Sequence, residues 1–137
     1  MAAVNELIRS EANGNISFGD YTRAQKAKLE NYEHRGDLYK VKTCKEITKL
    51  EKNGLFVYES VPGTTVTDFM EGEASVTFQV EGTQDAQITL EQEADADYEV
   101  YVDGVSAGIM ATNLGGKLSI SVELEGKNSV SVRIEKR

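Results

Sequence analysis

Residues 95–136 read DADYEVYVDGVSAGIMATNLGGKLSISVELEGKNSVSVRIEK, and the reading of this stretch decides the fold. Tyr98, Val100 and Val102 alternate with Glu99, Tyr101 and Asp103. Leu118, Ile120, Val122 and Leu124 alternate with Ser119, Ser121 and Glu123. Val130, Val132 and Ile134 do the same with Ser131, Arg133 and Glu135. A period of two places successive side chains on opposite faces, so these runs predict antiparallel strands with one buried face and one wet face. Asp103-Gly104, Asn113-Leu114-Gly115-Gly116 and Gly126-Lys127-Asn128 punctuate them with turn chemistry.

The same writing extends toward the N-terminus. Leu7-Ile8 and Ile16-Ser17-Phe18 flank Asn13-Gly14, which predicts an opening hairpin. LENYEH and LYKVKT meet at Arg35-Gly36-Asp37, and ITKLEK and LFVYESV meet at Lys52-Asn53-Gly54. In LFVYES, Leu55 and Val57 share one face and Phe56 and Tyr58 the other, the pattern of a strand covered on both sides. Pro62-Gly63 ends it in a turn. TRAQKAKLE, residues 22–30, alone has helix-like composition, but it lacks an apolar stripe and reads as one or two helical turns or a loop. SVTFQVEG and AQITLEQ continue the strands beyond Glu71-Gly72-Glu73, a polar break.

Ten to twelve short strands with closely spaced turns predict an all-β, antiparallel β-sandwich. Residues 1–71 read as a smaller N-terminal β-hairpin-rich unit and residues 72–137 as an immunoglobulin-like β-sandwich, with a shared core left open between them.

The net charge of -8 is unevenly placed. Residues 1–52 hold ten basic and eight acidic side chains, about +2, and the rest hold five and fifteen, about -10. A nucleic-acid binder needs a concentrated basic surface, which this balance opposes. It suits plain solubility, or the meeting of a basic front with the acidic back of another copy. Cys44 has no second cysteine to pair with and reads as a packing residue. No long apolar run predicts a membrane span, and the start MAAVNELIRSEANG has no basic-then-apolar signal, so the default expectation is the cytoplasm.

Three groups of residues bear on chemistry. Glu91, Glu93, Asp95, Asp97, Glu99 and Asp103 form an acidic cluster, but without the glycine and closing glutamate of a calcium loop it reads as a solvated linker and strand face. Tyr21, Tyr32, Tyr39, Tyr58 and Tyr101 are candidates for an interface or ligand surface, with half-buried packing as the plainer reading. Tyr58-Glu59 has the residue types of a tyrosine nucleophile and its partner, yet the five arginines that would grip a substrate carboxylate are scattered in sequence. His34 lies in a polar turn, and no nucleophile elbow, zinc spacing, phosphate loop or dinucleotide fingerprint is present. No catalytic, metal or cofactor residues are assigned.

GDLYKVKTCKEITKLEKNGLFVYESVPGTTVTDF and DYEVYVDGVSAGIMATNLGGKLSISVEL resemble short bacterial proteins of clostridial type that are often labelled endosialidase. The resemblance implies hydrolysis of polysialic acid. The sialidase aspartate box, Ser-x-Asp-x-Gly-x-x-Thr-Trp, is absent and there is no tryptophan, so the resemblance carries over no catalytic residue. The expectation is a non-catalytic structural or interaction protein that works by self-assembly or by binding another protein. A glycan-binding module is the second expectation, and sialoside hydrolysis the third.

Overall fold

The computed structural model describes residues 3–137. Among them are thirteen strands and no helix. They are β1 (Ile8–Ser10), β2 (Ile16–Phe18), β3 (Ala27–His34), β4 (Asp37–Thr43), β5 (Thr48–Lys52), β6 (Leu55–Val61) and β7 (Thr65–Glu71). The chain continues through β8 (Ser75–Glu81), β9 (Ala86–Glu91), β10 (Asp97–Val102), β11 (Val105–Ala111), β12 (Lys117–Val122) and β13 (Val130–Lys136). They build two antiparallel sheets in a sandwich-like arrangement. The seven-stranded sheet has the order β1-β2-β7-β8-β13-β10-β11, and the six-stranded sheet β12-β9-β6-β5-β4-β3.

The strands before Gly72 form one block in each sheet and the strands after it form the other. β7 pairs with β8 in one sheet and β6 with β9 in the other, so backbone hydrogen bonds cross the seam twice. The polar break at Glu71–Glu73 is the turn between β7 and β8. One continuous cluster of buried side chains runs under both blocks. At the seam Phe18, Tyr58, Phe69 and Phe78 pack largely edge to face, with centroids 5.2 Å apart for Phe18–Tyr58 and 5.8 Å for Tyr58–Phe78. Edge-to-face packing sets the positive rim of one ring on the negative face of the next.

The turn chemistry read from sequence performs as expected. Asn53 and Gly54 have φ of 53° and 80°, and Asp103 and Gly104 have 50° and 81°. Positive φ at both central residues makes a turn whose twist matches its strands, joining β5 to β6 and β10 to β11. Residues 22–26 form turns and bends, and β3 starts at Ala27, so the segment with helix-like composition is loop and strand. Without an apolar stripe it has nothing to bury as a helix.

β6 departs from expectation in an instructive way. It is a central strand, but its register shifts against β5, where Leu50 pairs with Tyr58 and Glu51 with Phe56. Val57 is the extra residue of a bulge. Tyr58 and Ser60 therefore face the core, while Phe56 faces outward beside the Lys117 and Lys49 ammonium groups, 4.7 and 5.9 Å from its ring centre. The two-faced apolar look of LFVYES comes from the bulge, and only one face is covered by a second sheet.

Candidate interaction surface

The structure separates the five candidate tyrosines. Tyr58 is fully buried, so it offers no surface to a partner or ligand. Its hydroxyl bonds to Thr64 Oγ1 at 2.7 Å, and burial pushes its pKa well above the usual tyrosine value. Glu59 follows it on a strand whose sides alternate, so the two do not act together on one face. Tyr21 is half-buried and donates to Glu81 Oε2 at 2.9 Å; burial, then that carboxylate, push it up to about 12. Tyr101 is half-buried on the outer face of the seven-stranded sheet, under the Arg133 guanidinium at 4.3 Å from its ring centre. Arg137, ion-paired to Glu99, also reaches the Tyr101 hydroxyl. The strand pairing thus brings Arg133 and Arg137 together at Tyr101.

Only Tyr32 and Tyr39 come together. They are cross-strand partners on β3 and β4, and His34 packs on Tyr39 with centroids 6.1 Å apart. Their neighbourhood joins the two sheets. Gly14 O can only accept, so His34 Nε2 donates to it at 3.0 Å. His34 Nδ1 is then free to accept the Ser10 hydroxyl hydrogen at 2.7 Å, and Ser10 Oγ accepts from the Tyr32 hydroxyl at 2.9 Å. β1 and the β1–β2 turn of one sheet are thereby tied to β3 of the other.

A cavity of about 150 Å³ opens beside this tie, lined by His34, Arg35, Asp37, Tyr39, Lys52 and Glu71, with Phe69 also in its wall. Tyr39 is pushed up to about 12 by burial and then by the Glu71 and Asp37 carboxylates. Lys52 pairs with Glu71 at 3.5 Å, and Asp37 accepts from Asn53 Nδ2 at 3.0 Å. Arg35 makes no ion pair among the described residues.

The acidic cluster is largely spent on cations or solvent. Glu91 pairs with Lys117, Glu93 with Lys136 and Glu99 with Arg137, while Asp97 and Asp103 are exposed. Among the described residues no group of three or more His, Cys, Asp or Glu is placed to hold a metal ion. Cys44 is buried.

The surface that sequence reading passed over is β11. β11 lies at one end of the seven-stranded sheet, with a single strand neighbour, β10. Every residue of β11 except the half-buried Met110 is exposed. Val105 is 69% exposed, Ile109 61%, and Leu114 in the following turn 87%. A signal for it stands in the chain: residues 104–116 are thirteen uncharged residues in a row, where 28% of all residues are charged. The other edges are better protected. β1 has three residues, β3 carries Lys28, Glu30 and Glu33 and a register shift, and the N–H and C=O of Lys117 on β12 are both bonded by Asn113.

No family model matches the chain, and neither a curated protein nor a solved structure does.

Proposed function

We propose that this protein is a non-catalytic interaction protein that works by self-assembly through its exposed edge. The observation that carries the reading is β11, an uncharged, exposed strand at the end of the larger sheet. An edge strand leaves a row of backbone donors and acceptors unpaired, and such rows bind other strands unless they are blunted by charge, proline or cover. β11 has no charge and no proline, and the one register shift in its pairing falls before Gly108. The immunoglobulin-like character of residues 72–137 belongs to this reading. It is supported by β8, β13, β10 and β11 lying side by side in one sheet and β9 and β12 in the other. So does the absence of nucleic-acid and membrane partners, which the net charge of -8 and the lack of a long apolar run argue for.

Light scattering after size exclusion, at two protein and two salt concentrations, tests the reading. The expected result is a defined mass above 15.1 kDa that survives high salt, because an uncharged edge gains nothing from low ionic strength. Assembly that dissolves in salt would instead favour the basic front of one copy meeting the acidic back of another. A constant monomer mass would remove self-assembly.

The glycan-binding reading is favoured by a different observation, the small cavity beside Tyr39. Its carboxylates and phenol match the donors and acceptors of a sugar. Saturable binding on a glycan array, lost in Asp37→Ala, would support it. Hydrolysis of a sialoside, which the resemblance to endosialidase-labelled proteins implies, would have to use residues other than the buried Tyr58.

A further inference from the structure

We propose that the assembly is a closed two-fold dimer in which β11 pairs antiparallel with β11 of a second copy, centred on Ile109. This rests on the self-assembly reading and adds its partner strand, symmetry and stoichiometry. Four observations point to it. First, the register of β11 against β10 is unbroken from Gly108 to Ala111 but shifts before Gly108, leaving Ala107 unpaired. Gly108 N donates to Ser106 Oγ at 3.2 Å, so the strand's first half is partly closed on itself and the free rungs are those after Gly108.

Second, Ile109 pairs with Glu99, which lies opposite in alternation to the buried Val100, so Ile109 stands on the outer face. A two-fold at Ile109 sets it against its own copy and sets Gly108 against the Met110 of the second chain. A position without a side chain then receives a long, flexible one. Third, the chain beyond residue 52 carries about -10, so most of its surface repels a copy of itself. Residues 104–116 carry no charge, and a two-fold along them opposes no acid to an acid. Fourth, β11 is the terminal strand of the larger sheet, so its outer side is open to a strand of a second copy. A two-fold joins the same edge of both chains and leaves that edge used in each, so growth through it stops at two.

The test uses the full chain and two variants. The expected mass is twice 15.1 kDa. Ile109→Cys is expected to give a covalent dimer that dithiothreitol reverses, since opposed residues have Cα atoms about 4.5–5.5 Å apart, within disulfide reach. Cys44 is buried and leaves the new thiol the accessible one. Ile109→Lys is expected to give a monomer with an unchanged circular dichroism spectrum, because the side chain is exposed. A wild-type monomer under all conditions overturns the proposal together with the self-assembly reading. An oligomer that Ile109→Lys leaves intact, that Ile109→Cys fails to cross-link, or that grows past two chains overturns the proposal alone.

Discussion

The two lateral edges of this sandwich are built on opposite principles. At one, β1 and β3 of different sheets are tied by the chain Tyr32–Ser10–His34–Gly14, whose bonds join residues 20 to 24 positions apart. At the other, β11 ends the larger sheet with Val105 and Ile109 in solvent and only Met110 packed against the buried cluster. The tied edge consumes its polar groups internally and adds charge and a register shift along β3. The open edge carries no charge, and its own register shift lies before Gly108. Strand pairing is non-specific in its backbone chemistry, so what separates a closed edge from an adhesive one is which groups remain unpaired and whether charge guards them.

The comparison breaks most violently in the packed interior beside the tied edge. Phe18→Ala on β2 removes a ring with no solvent exposure that touches Tyr58 and Phe69, and should cost about 3–5 kcal/mol by urea denaturation. Alkaline titration probes the same end through Tyr39. Its pKa is raised to about 12 in the folded chain against the ordinary value of 10.0, so between these values the unfolded state binds fewer protons. Stability contributed by Tyr39 is thus full below pH 10 and falls as pH rises toward 12. Tyr39→Phe should lessen that fall, measured as Tm against pH.

The tie itself is a smaller term. Ser10→Ala removes both bonds at its hydroxyl and should cost about 1–2 kcal/mol, with the loss non-additive with His34→Ala in a double-mutant cycle. Smallest of all in the stability of the single chain is the open edge: Ile109→Lys should stay within about 0.5 kcal/mol of the parent when both are compared at a concentration where the parent is monomeric, while its solution mass at high concentration changes most. If instead Ile109→Lys destabilised the chain and Ser10→Ala dissolved an assembly, the assignment of the two edges would be reversed.

Individual residues show how far the reading of sequence carried. Val100, Ile120 and Ile134 were placed on the core face by alternation alone and are buried there. Asn53-Gly54 and Asp103-Gly104 announced their hairpins because few other residues tolerate two successive positive φ values. Tyr58, read as a surface candidate with packing as the plainer alternative, is buried: a bulge at Val57 separates its face from that of Phe56, and no local composition marks a bulge. The buried hydroxyl ladder was not legible either. Thr43, Thr48 and Thr64 look like ordinary strand residues, yet Asp20 N–H donates to Thr43 Oγ1, and Thr48 Oγ1 bonds both Thr43 Oγ1 and the Thr64 backbone across 16 residues. β11 was legible in part: its uncharged run stands in the chain, but strands buried on both faces are also uncharged.

Sequence alone determined the all-β class, the alternating faces and the main turns, because a strand's period and a turn's backbone angles are set by neighbouring residues. Tertiary structure decided the order of strands in two sheets, the closing of one edge by His34, the gathering of Tyr32 and Tyr39, and the exposure of β11. Those depend on what lies across the sandwich, and an unequal count of seven strands against six is a property of the whole chain that no local pattern contains.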